Sequence, residues 1–219
     1  LEIPLLLIAT FLAVFFLWDL YLSALEGIGL LTAALLATLV LIWDARRAKP
    51  ISSSELAERA IPPELNHLKA IIYVAMGLLA LLGFADLLVW SAKTLAEHFG
   101  VSPMVIGLTI VALGTSLPEL AASIASALKG HHDIAIGNII GSNLLNILAV
   151  MAIPGILSPS SLTAMTVNRD LFVMVLLTLA LVAIVGLASL RQKSETPSLG
   201  RPVGLLLLLS YGFYYTLIF

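Results

Sequence analysis

The chain has 219 residues, of which 60% are hydrophobic and 11% charged, with a formal net charge of −2. A soluble domain carries about 25% charged residues, so this composition excludes a soluble enzyme and a disordered chain, and it offers no basic footprint for nucleic acid. The absence of cysteine excludes disulfides, thiolate metal sites and cysteine nucleophiles.

Seven apolar segments follow in chain order, at residues 3–22, 28–43, 68–91, 103–128, 133–153, 170–190 and 202–219. Backbone polar groups in hydrocarbon must be satisfied within the segment, so all seven are expected to be transmembrane helices, with the second and last marginal in length. The fold class expected is therefore an all-α polytopic membrane protein with the lipid bilayer as its solvent. The stretch 44–67 is the one long polar connector and reads as a linker with a short helix at 53–60, capped by Ser52 or Ser53. Arg46, Arg47, Lys49, Arg59, Lys69, Lys129, Arg191, Lys193 and Arg201 would share one side of the membrane, which leaves only Lys93 and Arg169 of the 11 basic residues on the other. Positive residues stay cytoplasmic, so the first helix should run outward and the C-terminus should lie outside. The opening apolar run lacks the basic start and small-residue cleavage site of a signal peptide.

The fourth and fifth segments carry the chemistry. Pro118 has no N–H, so the Gly114 carbonyl four residues earlier loses its helical donor, and Gly114 makes a local unwinding cheap. A freed carbonyl at membrane depth must line a cavity or meet a partner. Thr115, Ser116 and Glu119 stand beside it at helical spacing, on one face. An ionisable group near the centre of a span costs about 2.5–3.5 kcal/mol on insertion scales, and so marks Glu119 as part of an ion or proton pathway. The alternative is a protonated glutamate that only bonds between helices.

In the fifth segment Asn138, Ser142 and Asn146 form an i, i+4, i+8 stripe, with Gly137 and Gly141 allowing a close backbone approach. Such a stripe can be interhelical glue. Beside the fourth segment it completes a cavity of hydroxyl, amide, carbonyl and carboxylate oxygens, the ligands of hard cations such as Na⁺ and Ca²⁺. Ala121, Ala122, Ser123, Ala125, Ser126 and Ala127 read as a close-packing face, and His131, His132 and Asp133 as a turn. Asp86 either joins an ion pathway or meets water at the outer end of the third span. One carboxylate does not balance Ca²⁺, which takes 6–8 oxygens and usually more than one carboxylate. Either the ion is monovalent or a second acidic element comes from elsewhere.

The segments GTSLPELAASIASALKG (114–130) and DIAIGNIIGSNLLNI (133–147) resemble the second α-repeat of the calcium/cation antiporter superfamily, most closely its bacterial sodium/calcium exchanger branch. That resemblance implies a ten-helix fold of two inverted five-helix repeats with ion sites at the midplane. It implies side-chain ligands at Thr115, Ser116, Glu119 and Ser142, a backbone carbonyl ligand at Ala112, and Asn146 at the last polar position, which is Asp in some exchangers. It further implies that residues 1–43 are the last two helices of the first repeat, 44–67 a cytoplasmic linker, and 68–219 the second repeat, with the α-repeat at about 103–153. GTSLPE occurs once, so the counterpart repeat, which would supply the second carboxylate, should precede Leu1 by roughly 100 residues or come from a partner chain.

The function implied is exchange of Ca²⁺ against Na⁺, with those ions as substrates and no bound cofactor, in a bacterial inner (plasma) membrane. Competing readings are a cation/proton antiporter of the same superfamily and a non-transporting half-repeat that needs a partner. A membrane-embedded hydrolase has no support, because His67, His98, His131 and His132 all lie at or beyond the span ends and position no base for Ser116 or Ser142.

Overall fold

The computed structural model describes residues 1–47, 67–191 and 200–218. The expected linker helix at 53–60 and residues 192–199 of the last polar loop lie outside the described residues. The chain divides into two compact units, one formed by residues 1–47 with 126–219 and one by residues 48–125.

The first unit opens with α1 (Glu2–Phe16), which buries Leu6, Ala9 and Ala13 along one face. The chain then turns through Leu20, whose φ of 64° is a left-handed value, into the two-residue strand β1 (Tyr21–Leu22). Helix α2 (Ala24–Arg47) follows. It starts four residues earlier than the apolar run because Ser23 and Glu26 form a capping box. The Glu26 carboxylate accepts from the Ser23 backbone N–H at 2.7 Å and from its hydroxyl at 2.8 Å, while the Ser23 hydroxyl oxygen accepts from the Glu26 N–H at 3.2 Å.

The second unit contains α3 (His67–His98), a 32-residue helix of about 48 Å. It passes well beyond the expected boundary at residue 91, so Lys93 is helical rather than in a loop and pairs with Glu97 one turn on, at 3.8 Å. Gly100, at φ +74°, ends it, with its N–H on the Glu97 carbonyl and that of Val101 on Ala96, both at 3.0 Å. A left-handed glycine just past the helix is the usual way to satisfy its last carbonyls. The next stretch is built from α4 (Pro103–Ile106), a π-helical turn (Gly107–Val111), α5 (Ala112–Thr115) and α6 (Leu117–Leu128).

The first unit resumes at Ser126, in the last turn of α6. Helix α7 (His132–Leu145) continues through a π-helical turn (Asn146–Val150) into α8 (Ala152–Leu157). The strand β2 (Ser160–Ser161) pairs antiparallel with β1, Tyr21 opposite Ser161 and Leu22 opposite Ser160. A third π-helical turn (Thr166–Leu171) leads into α9 (Phe172–Arg191), and α10 (Arg201–Ile218) closes the described chain. The core of this unit joins Leu6, Ala9, Ala13 and Leu17 to Leu30 and Ala37 of α2 and to Ile140, Leu144, Ile147, Leu148 and Ala152. Helices α2 and α8 cross at glycines. A Cβ on Gly27 would stand 2.8 Å from the Ala152 carbonyl oxygen, and one on Gly155 would stand 3.2 Å from the Gly27 Cα.

Among the described residues, four helical stretches are long and apolar enough to cross a membrane: Ala24–Arg47, His67–His98, His132–Leu157 and Val167–Ala188. The bent pair Thr109–Thr115 and Leu117–Leu128 makes a fifth. The chain is thus an all-α polytopic membrane protein, with fewer full-length spans than the seven expected. The first apolar run breaks at the Leu17–Leu20 turn, leaving α1 with 15 residues, or about 22 Å, against a hydrocarbon core of about 30 Å. The last run gives 18 helical residues, or about 27 Å. The second run, marginal in length, becomes a full span of 24 residues, extended at its start by the capping box and at its end to Arg47.

Candidate ion-binding site

The break in the fourth segment falls at Ser116, whose φ of −91° and ψ of 0° leave the helix. Its N–H donates to the Leu113 carbonyl at 3.1 Å, a tight closing turn, and α6 restarts at Leu117 with Pro118 in its first turn. The missing proline N–H costs nothing there, because the first turn of a helix has no intrahelical acceptors to satisfy. The two pieces meet at a bend of 48°.

Four of the expected site residues are brought together at this break. The Thr115 hydroxyl donates to the Ala112 carbonyl oxygen at 3.2 Å, so two of the expected oxygen ligands already touch. Ser116 is the break residue itself. Glu119 lies in the first turn of α6, half-buried, and its Oε2 is shielded from solvent. The partial negative charge at the C-terminal end of α5 favours a cation. The broken helix therefore collects a hydroxyl pair, a peptide carbonyl and a carboxylate within a few residues.

Ser142 and Asn146 lie in the other unit, on the helix α7 and its π-helical continuation. Ser142 is half-buried and its hydroxyl donates to the Ile139 carbonyl at 3.1 Å; the neighbouring Asn143 side-chain amide donates to the same carbonyl at 2.9 Å. Asn146 is exposed and opens the π-helical turn, in which the Met151 N–H reaches back five residues to the Asn146 carbonyl at 3.0 Å. The stripe expected from Asn138 through Ser142 is continuous helix, and the helical register changes at its last member. A π-helical turn also stands directly before Ala112, with the Ala112 N–H on the Gly107 carbonyl. Such turns are frequent at functional positions. The sequence signals neither, since the amino-acid pattern of an i to i+5 turn differs little from that of an α-helix.

Asp86 is exposed on α3, with the helix continuing to His98, so it does not sit at a helix end. His131 precedes α7, and His132 and Asp133 form its first residues. Among the described residues, no three His, Cys, Asp or Glu side chains are grouped to hold a metal ion.

Residues 69–219 match the family described as sodium/calcium exchanger protein. The chain belongs to that family. It is 41% identical over its full length to CaxA of Alkalimonas amylolytica, of which it covers 67%, and 35% identical over 94% of its length to the inner membrane protein YrbG of Escherichia coli, of which it covers 62%. A 103-residue stretch is 42% identical to the sodium/calcium exchanger MaX1 of Methanosarcina acetivorans, covering 47% of this chain and 29% of that protein. The chain thus spans about two thirds of the length of the first two relatives. No solved structure matches it. The family places the chain among ion exchangers rather than among enzymes that make or break covalent bonds.

Proposed function

We propose that this chain supplies one half of the ion site of a secondary antiporter that exchanges Ca²⁺ against Na⁺. The observation that carries the reading is the break at Ser116, which sets the Ala112 carbonyl, the Thr115 and Ser116 hydroxyls and the Glu119 carboxylate together in an apolar helix. The resemblance of the sequence adds Ser142 and Asn146 as ligands. All six residues carry oxygen, the donor that Na⁺ and Ca²⁺ both take, so both ions can draw on the same kind of ligand. The name of MaX1 supports Na⁺ as the coupling ion.

One carboxylate in a low-dielectric cavity leaves Ca²⁺ with uncompensated positive charge. The second carboxylate comes from the inverted counterpart of residues 68–219, which the greater length of CaxA and YrbG can accommodate. In this scheme residues 1–43 end the first repeat of a ten-helix fold and 44–67 link the repeats. The basic-residue asymmetry orients the chain with its C-terminus outside, and YrbG, by name an inner membrane protein, supports a bacterial inner membrane.

The test is Glu119→Gln in the complete protein, reconstituted into vesicles. The amide keeps the shape and removes the charge, so Na⁺-driven Ca²⁺ uptake should be lost while the protein elutes as a folded species. Undiminished uptake refutes the role of Glu119. A second reading, a Ca²⁺/H⁺ antiporter, draws on the same carboxylate as proton carrier; Ca²⁺ movement driven by a pH gradient without Na⁺ selects it.

A further inference from the structure

Helix α3 has no buried residue, yet it packs along the first half of the broken helix, from Pro103 to Thr115. Gly114, the buried residue two positions before the break, lies against the Val89 side chain. A Cβ built on Gly114 would overlap Val89 Cγ2 and stand 3.3 Å from Val89 Cβ. The glycines at 77, 83 and 107 of the same unit have nothing within 4 Å of such an atom, so of these positions only Gly114 has a neighbouring side chain closed over it.

From this contact we infer that Val89 is a positioning residue for the ion ligands, holding the Gly114–Ser116 corner at its observed angle. The inference rests on the antiport reading, since it concerns the same ligands. Gly114 and Ser116 flank a point where the helical bond pattern is interrupted and Pro118 supplies no donor, so backbone hydrogen bonding alone leaves the corner soft. Val89 is β-branched, with a χ1 angle that is stiff in a helix. Its methyl groups fill the space above Gly114 and block the bend from relaxing towards α3. Because Thr115 follows Gly114 directly and donates to Ala112 on the far side of it, any shift of Gly114 moves both oxygen ligands. Val89 itself contributes no ligand atom.

The experiment measures Ca²⁺ uptake in vesicles holding the complete protein, with the half-saturating Ca²⁺ concentration and the maximal rate recorded separately. Gly114→Ala should lower uptake on the order of tenfold or more, since overpacking of this kind has effects of that size. Adding Val89→Ala to that variant should restore most of the lost uptake by making room for the new methyl group. Val89→Ala alone should raise the half-saturating concentration about threefold or more at little change in maximal rate and in folded yield, the pattern of weakened ion binding. Gly83→Ala, on the same helix in open space, should match the parent.

Failure of the double variant to recover, in a protein whose parent transports, overturns the inference and leaves the antiport reading standing. So does a Val89→Ala protein with unchanged half-saturation. A folded parent that moves no Ca²⁺ under either a Na⁺ or a pH gradient overturns the antiport reading, and this inference with it.

Discussion

The crossing of α2 and α8 gives a prediction whose sign separates packing from backbone propensity. Gly27 is an interior helical residue, and Gly→Ala in a helix interior ordinarily stabilises by about 1 kcal/mol. Here the new Cβ would stand 2.8 Å from the Ala152 carbonyl oxygen and 2.9 Å from both the Ile156 backbone nitrogen and its Cγ1. Two of those three atoms are backbone, held in the α8 hydrogen-bond pattern, so they cannot swing aside as a side-chain end could. Overpacking a tight contact costs about 1–3 kcal/mol, and the crossing is at the severe end because the helices themselves must separate. Gly27→Ala should therefore destabilise by a net of about 1–2 kcal/mol, and for a chain of this size about 2–8 °C in unfolding midpoint. Thermal unfolding in a fixed detergent measures it, with Gly186→Ala as the companion, since Gly186 of α9 has nothing within 4 Å of a Cβ and should hold or raise the midpoint. A Gly27→Ala protein as stable as the parent would refute the reasoning.

Three further outcomes follow from particular contacts. Ser23→Ala removes the capping box of α2 and should cost about 1 kcal/mol by thermal unfolding, whereas Glu26→Gln, which keeps an acceptor at that position, should cost less. Leu22→Cys with Ser160→Cys introduces the chain's only thiols at facing positions of the β1–β2 pair. Facing Cα atoms in an antiparallel pair are about 4.5–5.5 Å apart, within disulfide range, so mild oxidation should give an intramolecular bridge seen as a mobility shift on non-reducing gels. Pro118→Ala supplies an N–H that only an unbroken helix would place on the Gly114 carbonyl, so it favours the unbroken form; it should leave folded yield intact or improved while raising the half-saturating Ca²⁺ concentration in vesicle uptake.

The candidate site was legible in the sequence to the extent that its cause is local. Pro118 and Gly114 fix the place of the break within a residue or two, because a missing N–H and a missing Cβ act on their own turn. Thr115, Ser116 and Glu119 then fall together by helical spacing, whereas Ala112 is named only by the family resemblance. Helix α3 outlasts its apolar run, because hydropathy drops after residue 91 while the helix continues to His98 with Lys93 and Glu97 paired at i, i+4. Helix α2 likewise starts before its apolar run, because its first turn is set by the Ser23 and Glu26 capping-box spacing rather than by hydropathy.

Membrane residence, the oxygen-rich character of the fourth and fifth segments and the break itself were determined by the sequence alone, since each depends on residue type and short-range spacing. Tertiary structure decided what depends on residues distant in the chain. Nothing near Gly27 in sequence shows that α8 lies against it, and nothing near Gly114 shows that Val89 does. The pairing of β1 with β2 likewise joins the turn after α1 to the turn after α8. The π-helical turns at Gly107–Val111 and Asn146–Val150 belong to the same class. A helix takes up an extra residue per turn where packing around it favours the shifted register, and that preference is set by neighbours rather than by the turn's own amino acids.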